Sequence, residues 1–188
     1  MNARAGRGGA RWRGWIVALI CAVLAWAAWR FSAHEQPATR AVVRPDSVST
    51  GLRAARLFFA APAGDSLLVE SRDLPETGTL HERVAALIAE LEHGPRGAAI
   101  ATLPAGTSLL QVYLDDRGLM TLDLSREFVS GFHGGATSEF FAIASLVRTV
   151  GANVPEARRL LVVCGGGPIT TLGGHLPLDR PLEVQDWP

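Results

Sequence analysis

His133 and His175, taken with Asp123 or Cys164, are the residues from which this chain could assemble a metal site or a catalytic dyad. Imidazole, thiolate and carboxylate are the usual zinc ligands, and the same groups serve as general bases and nucleophiles. Their spacing argues against both uses, because no two of them stand three or four residues apart, as ligands on one helix face would. Each histidine falls instead in a glycine-containing loop, where a solvated or hydrogen-bonded role is the plainer reading. Ser130, Thr137 and Ser138 offer hydroxyls, yet no Gly-x-Ser-x-Gly elbow encloses them and the chain has no lysine to act as a base.

The glycine run after Cys164 follows an apolar stretch, as a phosphate loop would, but no Gly-Lys-Ser/Thr ending follows and Pro168 stands where a helix should begin. It reads as a turn. Asp115 and Asp116 precede Gly118 and read as turn residues, since aspartate bonds readily to nearby backbone. Asp123 and Arg126 read as a polar pair that fixes the exit of a hairpin. From the residues alone we expect no catalytic group, no metal and no cofactor, and no binding residue can be named.

The elements that must position these side chains follow from periodicity. Arg56 to Ala60 and Ser66 to Arg72 are two extended stretches around the turn Ala61-Pro62-Ala63-Gly64-Asp65. Thr79 and Glu82 have capping-box spacing, and Leu80, Val84, Leu87, Ile88 and Leu91 recur every three or four residues until Gly94-Pro95, which predicts an amphipathic helix. Leu110, Val112 and Leu114, then Met120, Leu122 and Leu124, alternate on either side of the 115–118 turn as a hairpin with one buried face. Phe140, Ile143, Ala144, Val147 and Val150 form the core stripe of a second helix, with Thr137 or Ser138 as its cap. Leu160 to Val163 is a buried strand. The fold class expected is α+β, two helices on one face of a mostly antiparallel sheet of four to five strands.

Ahead of this domain, residues 15–29 form an uncharged run that stops at Arg30, within an apolar stretch 14–31 that follows Arg13, with Trp12 and Trp15 at one end and Trp26 and Trp29 at the other. Such a run, at about 1.5 Å per helical residue, suits a hydrocarbon layer roughly 30 Å thick, and indoles collect at its two interfaces. The arginines of residues 1–13 predict that this tail stays in the cytoplasm and that the rest is exported, giving a single-pass, periplasmic arrangement. A cleaved signal peptide ending at Ala25-Trp26-Ala27 is the competing reading. Residues 32–52 read as a linker and 53–188 as the folded domain. Seven arginines against Glu35 and Asp46 give residues 1–52 a net +5, so the neutral whole leaves −5 for the remainder. An acidic domain repels polyphosphate overall, and nucleic acid is discounted as a partner. The cysteines, Cys21 within the apolar run and Cys164, are placed too far apart to bridge.

Several segments, in this order, resemble the GerMN domain, named for sporulation and germination proteins. They are Leu57-Phe58-Phe59, Leu67-Leu68-Val69-Glu70-Ser71-Arg72, Leu91-Glu92-His93-Gly94-Pro95, Leu103-Pro104-Ala105-Gly106-Thr107, Thr121 to Phe128, Val147 to Val150 and Leu172 to Leu182. The resemblance runs from Leu57 to the C-terminus in a single copy, with Cys164-Gly165-Gly166-Gly167 in place of the more usual acidic turn. It implies an extracytoplasmic, membrane-associated module without known catalysis, used in envelope or spore-coat assemblies. The function expected is therefore a tethered interaction or scaffold module for envelope proteins or cell-wall polymer. The alternatives are a small hydrolase or ligand-binding domain using the His133 and His175 loops, and self-association through packed sheets and helices.

Overall fold

A computed structural model describes residues 51–76 and 78–188. The basic tail, the apolar run 14–31 and nearly all of the expected linker lie outside these residues. Among those described, no helix is long and apolar enough to cross a membrane.

The chain order is β1 (Leu52–Ala60), β2 (Leu67–Pro75), α1 (Leu80–Glu92), β3 (Leu109–Leu114), β4 (Leu119–Leu124), α2 (Glu127–Ser130), α3 (Ala136–Asn153), β5 (Arg159–Cys164), β6 (Gly167–Pro168) and β7 (Leu182–Glu183). The class is α+β as expected, with the strands divided between two sheets rather than one. β1 and β2 form an antiparallel ribbon of their own. β3 and β4 are antiparallel, β4 and β5 parallel, and β5 carries β6 and β7 at its two ends to complete a five-stranded sheet. A single bridge, Ala60 to Ile100, extends β1 at its far end.

The first helix begins as its sequence requires. The Thr79 hydroxyl accepts from the Glu82 amide at 3.1 Å and the Glu82 carboxylate accepts from the Thr79 amide at 3.2 Å, so two orphan donors are satisfied reciprocally. Val84, Leu87, Ile88 and Leu91 enter one core with Leu57 and Phe59 of β1, Met120, Leu122 and Leu124 of β4, and Ile143, Leu146, Val147 and Val150 of α3.

Three details depart from expectation. Leu110 is exposed, because β3 slips register between Leu109 and Gln111; the bulge turns Leu109, Val112 and Leu114 toward the core instead. Helix α3 is capped by Gly135 without a side-chain bond, and Thr137 and Ser138 lie inside its first turn. Phe140 is not in the core but 38% exposed, stacked on Trp187 at 5.4 Å, while its neighbour Phe141 is buried.

Helix α3 is buried on most of its surface, and of its polar residues Ser145 and Thr149 are fully buried and Asn153 partly so. They stand one helical turn apart and line the edge of β1 that β2 does not pair. Ser145 donates to the Phe58 carbonyl, Thr149 accepts from the Phe58 amide at 3.1 Å, and the Asn153 amide both accepts from the Arg56 N–H at 3.0 Å and donates to its carbonyl at 2.8 Å. Four helical residues advance about 6 Å and two strand residues about 6.8 Å, so a polar helix stripe can match a strand edge rung for rung. This is why the β1–β2 ribbon gains no third strand there. Thr149→Val keeps the shape but leaves the buried Phe58 N–H without its acceptor; we expect a loss of about 1–3 kcal/mol, read from the urea midpoint of the full chain at unchanged slope.

Candidate functional site

The residues with chemical potential are dispersed by the fold. His175 belongs to a loop held by a carboxylate that its sequence setting did not single out, Glu139 in the first turn of α3. Glu139 has no exposed side-chain surface. It accepts from the Leu172 amide at 3.0 Å, the His175 amide at 2.9 Å and His175 Nδ1 at 3.0 Å. Burial alone would raise its pKa. Hydrogen bonds from the loop's backbone amides and from His175 outweigh that, and hold the carboxyl below the ordinary glutamate range. Gly173 is required by the same arrangement, since a Cβ there would meet Phe132 at 2.6 Å.

His133 stands elsewhere, exposed at the mouth of an open cleft of about 280 Å³ that it lines with Thr137, Ser138, Ile100 and Phe141. His175 does not line that cleft. Ser130 ends α2 on the surface. Among the described residues no three histidine, cysteine, aspartate or glutamate side chains converge as a metal site would require.

Asp123 and Arg126 do not form a pair. Asp123 Oδ1 accepts from the Gly166 amide at 2.9 Å, and the Arg126 side chain lies over Gly165. The glycine run itself is a two-residue hairpin turn: Gly165 at φ +59° and Gly166 at φ +81° join Cys164 to its register partner Gly167, the geometry of a type I′ turn. Cys164 donates to the Ser125 carbonyl at 3.2 Å, and burial pushes its thiol up, so it offers little thiolate near neutral pH. Asp115 accepts from the Arg117 and Leu119 amides at 2.9 and 2.7 Å and closes the β3–β4 turn.

What the fold does concentrate is a polar network on the core-facing side of β2. Arg72, with 2% of its side chain exposed, donates to Glu70 Oε2 at 2.8 Å, Glu90 Oε2 at 2.6 Å, the Glu90 carbonyl at 3.1 Å and the Gly94 carbonyl at 2.7 Å. Its guanidinium lies 5.3 Å from the centre of the Phe59 ring. Glu70 receives the amides of Arg96 and Gly97 as well, and the Arg72 bond is the main cause of its lowered pKa. One step on, Glu92 accepts from the Gly106 amide at 2.8 Å, and Ser125 donates to the Gly106 carbonyl at 3.2 Å. Four of the separated segments that carry the resemblance, 67–72, 91–95, 103–107 and 121–128, are thus joined by these hydrogen bonds. Glu70 lies two residues before Arg72, on the same strand face, while the other partners of Arg72, Glu90 and Gly94, lie 18 and 22 residues further along.

Ribbon, five-stranded sheet and two packed helices, with their polar side chains spent on mutual attachment, define an α+β module with no assembled catalytic group among the described residues. The fold recurs in solved structures. The tandem GerMN domains of the sporulation protein GerM from Bacillus subtilis align with a TM-score of 0.59 at 17% identity, covering 72% of this chain and 48% of that one. The first GerMN domain of the same protein aligns with 0.54 at 19%, covering 71% and 99%. A candidate lipoprotein from Clostridium perfringens aligns with 0.52 at 21%, covering 73% and 91%. No curated protein matches the chain in sequence. The chain belongs to the family described as sporulation and spore germination, whose model matches residues 56–170.

Proposed function

We propose that the chain is a non-enzymatic interaction module, held outside the cytoplasmic membrane by its N-terminal apolar segment, which recruits or scaffolds envelope proteins or cell-wall polymer. The observation that carries the reading is the use to which the reactive side chains are put. Glu139 and His175 hold a loop, Asp115 and Asp123 close turns, and the Cys164 thiol donates to a backbone carbonyl. The positive flank and tryptophan-bordered run at 14–31 support the tether, the family description supports a role in sporulation or germination, and the similar fold of a candidate lipoprotein supports an envelope setting.

The alternative, a hydrolase or ligand-binding domain, draws on the cleft at His133. It would have to work with one histidine, since His175 is engaged by Glu139. Photo-crosslinkers placed on the exposed surface of residues 51–188 in intact membranes should trap a small, reproducible set of envelope components. Recovery of nothing above a tether-only control would overturn the proposal.

A further inference from the structure

The domain is acidic overall, yet one groove on it is basic. Arg56 at the edge of β1, Arg148 on α3 and Arg158 before β5 converge on a shallow groove of about 570 Å³ floored by small residues such as Gly151 and Ala152. Among the described residues none of these three arginines has a carboxylate within ion-pair distance, although Glu183 lines the same groove. Two of the guanidiniums are set in place by packing. Arg56 lies 5.5 Å and Arg148 5.2 Å from the centre of the Phe58 ring, and Arg148 also donates to the Trp187 carbonyl at 3.3 Å. Like charges gathered on one ring without a counter-ion repel one another, and an anion entering between them relieves that repulsion. A planar guanidinium fork matches a carboxylate or phosphate group bidentately.

We infer that this groove binds an anionic carbohydrate polymer, one carrying carboxylates or phosphates along its repeat. Its volume is larger than one isolated anion fills. An acidic polypeptide is the weaker fit. Arginine clusters also receive acidic peptides, but the main-chain bonds that strengthen peptide docking are not on offer here, since the β1 edge is already occupied by Thr149 and Asn153 and Phe58 lies beneath two of the guanidiniums. What the groove offers is the positive charge of Arg56, Arg148 and Arg158, offset in part by Glu183. The inference deepens the proposed scaffold role by naming the polymer chemistry, and rests on it.

The test uses the full chain in nonionic detergent at low salt, titrated with polygalacturonate, a glycerol-phosphate polymer, poly-glutamate and neutral dextran. Binding to at least one of the two anionic glycan-type polymers is expected, at least tenfold tighter than to poly-glutamate and absent for dextran, and weakening as salt is raised. The exposed pair Arg56→Gln with Arg158→Gln should weaken it at least tenfold with an unchanged circular dichroism spectrum, while Arg180→Gln outside the groove should not. Equal loss in the Arg180→Gln control, preference for poly-glutamate, or no binding to either anionic glycan would overturn the inference. If crosslinking in membranes still traps envelope proteins when polymer binding fails, the groove assignment falls and the scaffold reading stands.

Discussion

Arg72→Ala is expected to lower the stability of the folded domain by about 3–5 kcal/mol, the cost of breaking a buried ion pair from one side. The guanidinium is the shared donor for Glu70, Glu90 and two carbonyls at the end of α1, and it covers the Phe59 ring. Removing it leaves two half-buried carboxylates facing each other and a carbonyl at Gly94 without its donor. Arg72→Lys should fall between, because a single ammonium keeps the charge but cannot reach four acceptors in fixed directions. Urea unfolding of the full chain, followed by far-ultraviolet circular dichroism, measures both. A loss under 1 kcal/mol for Arg72→Ala would show that the network is exposed enough for water to replace it.

Glu139→Gln is the second large effect, expected at roughly 2–4 kcal/mol, since the neutral amide turns an NH₂ group toward donors that a carboxylate satisfied and weakens the charged bonds that remain. The pH dependence follows from the direction of the shift. The folded carboxyl lies below the ordinary 4.5 of a glutamate, so its stabilising contribution is complete above that value and is lost as pH falls through the lower folded value. The wild-type chain should therefore lose stability more steeply than Glu139→Gln below pH 4.5, and the two curves should converge in acid. Parallel curves would mean that Glu139 is not the charged latch of the 172–176 loop. Amide hydrogen exchange at Leu172 and His175 should quicken in the variant, which places the effect in the loop and not in the helix.

Much of the architecture was legible because it is written in local terms. Thr79 and Glu82 lie three residues apart, so the helix start needs nothing beyond its own turn to form both bonds. The alternation of Met120, Leu122 and Leu124 fixes which face of β4 is buried, and all three are fully buried. Where a local rule met a tertiary one, the tertiary one prevailed. Leu110 obeys the alternation in sequence, but one extra residue in β3 turns it outward. Phe140 has helical spacing with Ile143 and Val147, which are buried in the core, but stacks instead on Trp187 near the end of the chain and stays partly exposed. The ribbon's strands also ran longer than their apolar stretches, β1 from Leu52 and β2 to Pro75, because pairing between them extends past the hydrophobic residues.

The candidate chemistry divides along the same line. Residue types, charge and spacing were enough to argue against a metal cluster, a nucleophile elbow and a phosphate loop, because each of those needs groups at fixed short separations that this chain lacks. They were also enough to mark residues 14–31 as apolar and positively flanked, and to place the chain among its relatives through short segments in a set order. Only the tertiary structure decided what the polar residues do instead. Glu139 meets a loop more than thirty residues away, Arg72 meets the far end of the next helix, and Ser145, Thr149 and Asn153 meet a strand some ninety residues back. Such partners share no period and no motif. A buried donor is satisfied by whichever acceptor the packed core carries to it, and that is settled when the layers close, not when the chain is read in order.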